Sequence, residues 1–279
     1  MSRLPVFVVN LDRRPDRWVA VVENLGRLGV VPIRIPAIDA ETVSDRELRK
    51  RVALDKPFQP LSRGAEACIL SHCKAWEALL ASPYPAALVA EDDAQFAADI
   101  ATVLDPTGWW PEGAGLIKLE AARNKKRHLG AECGRTLGGR QIYPLLRFPG
   151  GSTGYLIDRR AAETALCLCV EVDVSIDRFL FDISASQAAR ALRPLQVVPT
   201  MIRQRHEEFG SDIGAAPCRA RLSASARPVS IRVRRLGIAL RKLAQTACWA
   251  AGCRRRVRVA FADAPPEART ERAFAESSA

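Results

Sequence analysis

Three consecutive carboxylates, Glu91, Asp92 and Asp93, follow directly on the short apolar segment 86–90 (AALVA). Such a segment predicts a buried strand, and open α/β sheets bind ligands beyond the carboxyl ends of their strands. Because residues two apart in an extended chain point the same way, Glu91 and Asp93 are expected to face one site. Two oxygen ligands suit Mg²⁺ or Mn²⁺, which also takes phosphate oxygens and stabilises a diphosphate leaving group. An acidic run at a strand end is more often a solvated turn, so the motif needs support from elsewhere in the chain.

That support comes from a second charged segment, which ends the first predicted strand. Residues 10–17 (NLDRRPDR) contain Arg13, Arg14 and Arg17. The planar guanidinium group matches phosphate oxygens in a bidentate geometry. The alternative explanation is an ordinary charged helix start. Together, the two segments predict a site for a metal ion and a phosphorylated ligand.

The elements that position these residues alternate between strand and helix. Apolar runs predict strands, and three- and four-residue spacings of apolar residues predict helices, with Asp12 as a candidate helix cap. The expected strands are 4–11, 30–35, 86–90, 115–119 and 153–157, and the expected helices are 15–28, 64–80 and 161–170. This order predicts an α/β sheet covered on both faces. Neither a P-loop nor a G-x-G-x-x-G motif is found.

The net charge of +11 over 279 residues is concentrated near the C-terminus. Residues 1–212 are almost neutral, whereas 213–262 contain 12 basic residues and no acidic one. We therefore predict a domain over 1–217, a basic extension over 218–262 and a disordered end over 263–279. The spacing of Leu236, Leu240 and Leu243 predicts a basic amphipathic helix. Such a helix could bind an anionic membrane surface; the alternatives are that it packs on its own domain or that the segment is disordered. Nucleic-acid binding is the least favoured interpretation, because the stretch lacks interleaved aromatic residues.

Composition narrows the class of protein further. The chain is 48% hydrophobic and 26% charged, which excludes a disordered, collagen-like or disulfide-stapled protein. The sequence contains no apolar run of the roughly 18–20 residues that span a bilayer and no secretory signal, so we expect a cytoplasmic protein with reduced, mostly buried thiols. The eight cysteines have C-x4-C and C-x-C spacings, which do not form a zinc framework.

Six segments, in order over about residues 4–213, resemble glycosyltransferase family 25, the lipooligosaccharide-type glycosyltransferases. They are VFVVNLDRRPDR, LSRGAEACILSHCKAW, AALVAEDDAQF, GSTGYLIDRRAAETAL, VDVSIDRFLFD and the closing Gln204 with 211–213 (SDI). Thr153-Gly154 departs from the family's usual His-Ala pair, and Ala94 replaces a branched residue. The carboxylate triplet is intact.

The resemblance implies a GT-A-like fold, with a mixed, mainly parallel sheet and flanking helices. It also implies transfer of a sugar, most commonly galactose from UDP-galactose, to a lipooligosaccharide or another cell-surface saccharide. Carried onto this chain, the metal site for Mn²⁺ or Mg²⁺ is Glu91 and Asp93. The nucleotide-sugar site comprises Asn10, Asp12, Arg13, Arg17, Glu66, Ser71, His72 and Asp92. Asp177 and Asp182 lie in the segment that would approach the acceptor.

If transfer inverts the anomeric centre, the acceptor hydroxyl needs a general base. Asp177 is our candidate, with Asp93 as the other catalytic carboxylate; the alternative role for Asp177 is the N-cap of a helix over 178–181. Competing functions are a metal-dependent nucleotidyltransferase or phosphatase, and an inactive glycosyltransferase-fold scaffold with a membrane- or nucleic-acid-binding tail. The expected partners are a UDP-sugar, a saccharide or glycolipid acceptor and the inner face of the cytoplasmic membrane, without nucleic acid.

Overall fold

The computed structural model describes residues 3–54, 61–105, 109–121, 125–130, 136–137, 139–210, 229–250 and 255–263. An eight-stranded sheet in the order β2-β1-β3-β9-β5-β10-β8-β7 organises these parts of the chain. Two small sheets pair β11 with β4 and β12 with β6. The strands are β1 Val6–Asn10, β2 Pro32–Pro36, β3 Ala86–Glu91, β4 Ala94–Phe96, β5 Leu116–Lys118, β6 Lys125–Leu129, β7 Thr136–Leu137, β8 Arg140–Pro144, β9 Gly154–Asp158, β10 Leu195–Val198, β11 Ile202–Gln204 and β12 Arg255–Val259.

Several helices begin at a residue whose side chain caps them. The Ser62 hydroxyl accepts a hydrogen bond from the Ala65 amide at the start of α3, and the Asp158 carboxylate caps α4 at Ala161 in the same way. The helices are α1 Pro15–Arg27, α2 Asp45–Leu48, α3 Arg63–Ala81, α4 Arg159–Leu168, α5 Ile176–Phe181, α6 Gln187–Leu192, α7 His206–Phe209 and α8 Val229–Ala250, with a 3₁₀ turn at Ile100–Leu104. The expected helices 15–28, 64–80 and 161–170 correspond to α1, α3 and α4.

Two hydrophobic cores lie on opposite faces of the large sheet, because alternate residues of each strand point to opposite sides. Phe7 and Val9 of β1 pack into the core formed with α3 and α4. Val6 and Val8 pack into the core formed with α1. The expectation of an α/β sheet covered on both faces is confirmed.

The sheet is mixed, as expected, but more of its strand pairs are antiparallel than the expected mainly parallel arrangement implies. The parallel pairs are β1 with β2, β1 with β3, and β10 with β5. β9 inserts antiparallel between β3 and β5, and β8 pairs antiparallel with β10 and β7. The parallel trio β2-β1-β3 brings Pro36, Asn10 and Glu91 to one edge of the sheet.

The basic extension contributes two described elements. Helix α8 contacts the rest of the chain through Arg234, which donates to Asp173, Arg241, which donates to the Ser184 carbonyl, and the buried Ile238. Strand β12 pairs antiparallel with β6. None of the described helices is long and apolar enough to cross a membrane. The boundary expected near 214–217 and the end beyond 263 lie outside the described residues, so the three-part division remains a prediction.

Some local expectations were wrong. Asp12 does not cap α1: the N-cap residue is Arg14, and Asp12 instead pairs with Arg34 at 2.6 Å. Asp177 is not an N-cap, because α5 begins at Ile176, two residues before the expected start, and Ser175 is the N-cap residue.

Of the described cysteines, Cys73 and Cys169 are buried with their sulfurs 3.3 Å apart, and Cys68 is half-buried. Cys167 is exposed, and the other three described thiols are buried or half-buried, as expected for most of them.

Candidate functional site

A solvent-open cavity of about 100 Å³ lies at the carboxyl ends of β1, β2 and β3. Its walls come from the loop after β1, the loop after β2, helix α3 and the carboxylate triplet. The lining residues are Val9, Leu11, Arg13, Arg17, Ala37, Ile38, Ala40, Gly64, Ala67, Cys68, Ser71, Glu91, Asp92, Asp93 and Gln204. The structure therefore brings both predicted charged segments to one cavity.

Asp92 is held by a buried polar network from β1 and α1. The Asn10 side-chain amide donates to Asp92 Oδ2 at 2.8 Å, and Arg17 Nη1 donates to Oδ1 at 3.2 Å. Arg17 Nη2 also donates to the carbonyls of Phe209 and Gly210. Burial raises the pKa of Asp92, although Asn10 and Arg17 oppose the rise. Asp92 therefore anchors Arg17 at the cavity wall.

Glu91 continues the alternation of β3 and points towards α3. Its Oε1 accepts from the Ser152 hydroxyl at 2.7 Å and lies 3.6 Å from His72 Nε2. His72 Nδ1 lies 2.8 Å from the Tyr155 hydroxyl, which also accepts from Trp76 Nε1 at 2.9 Å. Burial acts to raise the pKa of Glu91, but His72 and Ser152 outweigh it and hold the pKa below the usual value. Glu91 is therefore a carboxylate ready to accept a cation at neutral pH.

Asp93 follows β3 in a turn and is buried at the cavity wall. Gln204 Nε2 donates to Oδ2 at 2.8 Å, whereas Oδ1 has no hydrogen-bond partner among the described residues. Burial, and next the charge of Glu91, raise the pKa of Asp93 to about 7. An unpartnered buried carboxylate oxygen is costly unless a proton or cation satisfies it.

The other predicted site residues divide between the cavity and its surroundings. Arg13 lines the cavity and pairs with Asp39 at 2.9 Å. Ser71 also lines it, but its hydroxyl donates to the Ala67 carbonyl and accepts from the Ile38 amide, which fixes the loop after β2 on α3. Asp12 is largely exposed outside the cavity, and Glu66 is buried without lining it.

Asp177 lies beside the glycine loop that precedes β9, outside the cavity lining. Its Oδ2 accepts from the Gly151 amide at 3.1 Å, and its Oδ1 accepts from the Ser175 hydroxyl and the Arg178 amide. Gly151 has φ +76° and packs against Glu120 so closely that a Cβ would clash with the carboxylate. Asp177 thus supports the loop that carries Ser152, the hydrogen-bond donor to Glu91.

Sequence reasoning missed three participants. Gln204 appeared only in the matched closing segment, and nothing in its spacing linked it to Asp93. Ser152 and Tyr155 contact the triplet and His72 only because β9 lies antiparallel beside β3, a pairing that the chain order does not reveal.

The cavity suits a divalent cation of the Mg²⁺ or Mn²⁺ class. These ions take carboxylate oxygens together with phosphate oxygens and water. Glu91 and Asp93 both line the cavity, and Asp93 has a buried unpartnered oxygen in a field of like charge. The residues present therefore fit such an ion, with Arg13 and Arg17 in the same cavity to meet a phosphate group.

The titration of Asp93 predicts a pH-dependent stability in metal-free protein. Because the folded pKa is about 7 and the ordinary value is 3.8, the folded state holds its proton while the unfolded state releases it as pH rises from about 4 to 7. Stability is therefore lost over this window, by up to about 4 kcal/mol. Urea unfolding at pH 5 and pH 8 with a chelator should show a steeper loss in the wild type than in Asp93→Asn. Equal pH dependence in the two proteins would contradict the assignment.

Comparison with known proteins adds an independent finding. The family model described as Glycosyltransferase family 25 (LPS biosynthesis protein) matches residues 3–180. A glycosyltransferase 25 family member from Aedes aegypti is 33% identical over 98 residues, which cover 33% of this chain and 16% of that protein. The human inactive glycosyltransferase 25 family member 3 is 32% identical and the mouse procollagen galactosyltransferase 2 is 28% identical. Both matches extend over 98 residues and cover 33% of this chain and 16% of the relative.

The relatives are much longer than the matched segment, so the chain aligns with about a sixth of their length. The family model, in contrast, covers more than half of this chain and includes β1, α3 and the carboxylate triplet. The chain belongs to glycosyltransferase family 25.

Proposed function

We propose that the chain is an active, metal-assisted glycosyltransferase with a GT-A-like fold. It transfers a sugar, galactose from UDP-galactose in the first instance, to a lipooligosaccharide or another cell-surface saccharide. The observation that carries the proposal is the joint presence of Glu91, Asp93, Arg13 and Arg17 in one open cavity. Carboxylates for a cation and guanidinium groups for phosphate are the two requirements for binding a nucleoside diphosphate.

In this proposal some side chains bind the metal ion or the diphosphate, and others hold these side chains in position. Glu91 and Asp93 hold Mn²⁺ or Mg²⁺, which supplies charge neutralisation at the leaving diphosphate. Arg13 and Arg17 bind diphosphate oxygens, and the Asn10–Asp92 pair keeps Arg17 in place. The loop after β2, fixed by Ser71, closes the side of the cavity where the nucleoside would lie.

Asp177 is the proposed general base that takes the proton of the acceptor hydroxyl during inverting transfer. Its support is that the Ser175 hydroxyl and the Arg178 amide fix the orientation of its carboxylate. A second support is its contact with the Gly151 amide, beside Ser152, whose hydroxyl donates to Glu91 at the cavity wall. A general base must lie within hydrogen-bond reach of the hydroxyl that it deprotonates.

The main alternative is an inactive member of the family, a state named for the human relative. The intact triplet in this chain favours activity, since an inactive scaffold has no need of a buried carboxylate with an unpartnered oxygen. A nucleotidyltransferase or phosphatase would need further carboxylates around a two-metal site. The next acidic residue after Asp93 is Asp99, which pairs with Arg140.

Calorimetric titration of the full chain with UDP, UDP-galactose and UDP-glucose, with and without Mn²⁺, tests the donor. We expect Mn²⁺-dependent binding of UDP and a preference for UDP-galactose between the two sugars. A preference for UDP-glucose would show that the donor is UDP-glucose and would leave the proposed class of reaction unchanged. Absence of binding by any uridine nucleotide would refute the proposal of a UDP-sugar donor.

Replacing the proposed base gives a sharp kinetic prediction. Asp177→Asn should lower kcat by about 10²–10⁴-fold with little change in the donor KM, because general bases contribute rate enhancements of that size. Asp173→Asn, which removes a carboxylate that pairs with Arg234, is the control and should retain its rate. If Asp177 only supports the Gly151 loop, the variant should lose stability and keep its kcat.

We further propose that α8 docks on an anionic membrane surface. Arg234, Ile238 and Arg241 face the rest of the chain. The opposite side presents an apolar stripe about 15 Å long, formed by Val233, Leu236, Leu240 and Leu243, each more than half exposed. Charge favours anionic lipid as the partner of this stripe, since residues 213–262 contain 12 basic residues and no acidic one. Basic helices with an exposed apolar face bind anionic lipid in this way.

Vesicle co-sedimentation tests the docking surface. The full chain should bind vesicles containing phosphatidylglycerol and should not bind pure phosphatidylcholine. The double variant Leu236→Gln/Leu240→Gln should weaken binding at least about tenfold, because two leucines no longer enter the lipid. Val31→Gln/Val170→Gln, which alters two other exposed valines, is the matched control. Equal binding by all three proteins would rule out the stripe as the docking surface.

A further inference from the structure

Three side chains of different chemistry converge behind the carboxylate triplet. The sulfur of Cys68, an imidazole nitrogen of His72 and a carboxylate oxygen of Glu91 lie within 4.8 Å of one another. Cys68 and His72 are four residues apart on α3, so they project from one face of the helix. Glu91 approaches them from the end of β3. Cys68 and Glu91 also line the cavity.

His72 is positioned so that its Nε2 atom can act as a metal ligand. The imidazole is fully buried, and Nε2 has no hydrogen-bond partner among the described residues. Nε2 lies 3.6 Å from Glu91 Oε1, which is beyond hydrogen-bond range. Two ligands bound at about 2.0–2.1 Å to one tetrahedral ion lie roughly 3.3–3.4 Å apart. The observed separation is therefore close to that of two ligands sharing a metal.

Neighbouring groups already hold two of the three side chains in position. The Tyr155 hydroxyl contacts His72 Nδ1 at 2.8 Å and is itself fixed by Trp76. In the tautomer that donates from Nδ1 to Tyr155, Nε2 carries the lone pair that a metal ion can take. The Ser152 hydroxyl fixes the Glu91 carboxylate. Metal-binding histidines and carboxylates are oriented by such outer hydrogen bonds.

We propose that Cys68, His72 and Glu91 form a binding site for Zn²⁺ or a similar thiophilic divalent cation. On binding, the Cys68 thiol loses its proton to solvent and its sulfur bonds to the metal. Three protein ligands leave one position open towards the cavity, as in zinc sites that bind a further molecule. Sulfur and nitrogen ligands favour Zn²⁺ and Co²⁺ over Mn²⁺ and Mg²⁺. The site is chemically distinct from the proposed Mn²⁺ pair, although both use Glu91.

The surrounding charge favours a cation, because the carboxylates of Asp92 and Asp93 line the same cavity as Cys68 and Glu91. The sequence analysis considered only pairs of cysteines as zinc ligands. Such spacings cannot reveal this site, because its single cysteine is combined with a histidine on the same helix and a glutamate from a strand.

Cobalt spectroscopy on the chelator-treated full chain tests the site without any donor or acceptor. Co²⁺ should produce a thiolate-to-cobalt charge-transfer band at one equivalent, and calorimetry should show one Zn²⁺ site. Cys68→Ser should abolish the band and weaken Zn²⁺ binding at least about 100-fold, and His72→Gln should weaken it similarly. Cys167→Ser, which removes an exposed cysteine, is the matched control and should bind like the wild type.

Either of two outcomes overturns the proposal. The first is the absence of a charge-transfer band in the wild type, which requires no variant to fold. The second is a band that survives in Cys68→Ser or disappears in Cys167→Ser. Both outcomes leave the proposed transferase activity untouched, because UDP-sugar binding in Mn²⁺ is measured separately.

Discussion

Asp93→Asn is expected to reduce transfer from UDP-galactose by about 10²–10³-fold, equivalent to roughly 3–4 kcal/mol of transition-state stabilisation. The variant keeps the shape of the side chain and the oxygen that can accept from Gln204. It loses the charge that the proposed ion needs beside Glu91. Part of the lost rate should return at high Mn²⁺, because the variant weakens metal binding and leaves the diphosphate contacts of Arg13 and Arg17 in place.

Stability separates this effect from damage to the fold. Without metal at pH 8, Asp93→Asn should be at least as stable as the wild type, because it removes a buried carboxylate whose pKa is raised to about 7. Asp16→Asn is the matched control, since Asp16 is exposed, pairs with Arg14 and does not line the cavity. A variant that is stable and fully active would exclude Asp93 from the metal site.

Arg17→Met is expected to destabilise the protein by about 3–5 kcal/mol, the range for removing one partner of a buried ion pair. Arg17 and Asp92 are both less than a tenth exposed, and Arg17 also binds the carbonyls of Phe209 and Gly210. Without Arg17, the Asp92 carboxylate is left buried beside Asn10 alone. The loss should be smaller at pH 5 than at pH 8, because Asp92 can take up a proton.

Arg13→Met provides the comparison from the same cavity. Arg13 pairs with Asp39 at 2.9 Å, but about a third of its side chain is exposed, and exposed pairs contribute about 0–1 kcal/mol. Chemical denaturation should therefore show a large difference between the two variants, whereas both should weaken UDP binding. Equal stability of the two variants would show that the Arg17–Asp92 pair does not anchor α1 to the triplet.

The sequence was most informative where local pattern and burial agree. The segments around β1, α1, α3 and β3 have the spacings of buried strands and amphipathic helices, and their positions match the structure closely. The sequence predicted that the three arginines after β1 and the carboxylates after β3 meet at one site. Arg13, Arg17 and the three carboxylates line one cavity, whereas Arg14 pairs with Asp16 and does not line it. The roles of these residues remain predictions.

Contacts between distant segments lay beyond such reasoning. The antiparallel insertion of β9 beside β3 brings Ser152 and Tyr155 to Glu91 and His72, and no local signal specifies that pairing. Asp12 is a residue type that often caps helices, but its carboxylate forms an ion pair with Arg34 on the neighbouring strand instead. The packing of α8 through its arginines likewise depends on Asp173, which is remote in sequence.

The most direct test of the proposed donor site is anomalous diffraction from crystals of the full chain grown with Mn²⁺ and UDP. We expect an anomalous peak bonded to carboxylate oxygens of both Glu91 and Asp93, and diphosphate oxygens beside Arg13 and Arg17. A manganese ion away from Asp93, or a nucleotide outside this cavity, would contradict the proposed donor site.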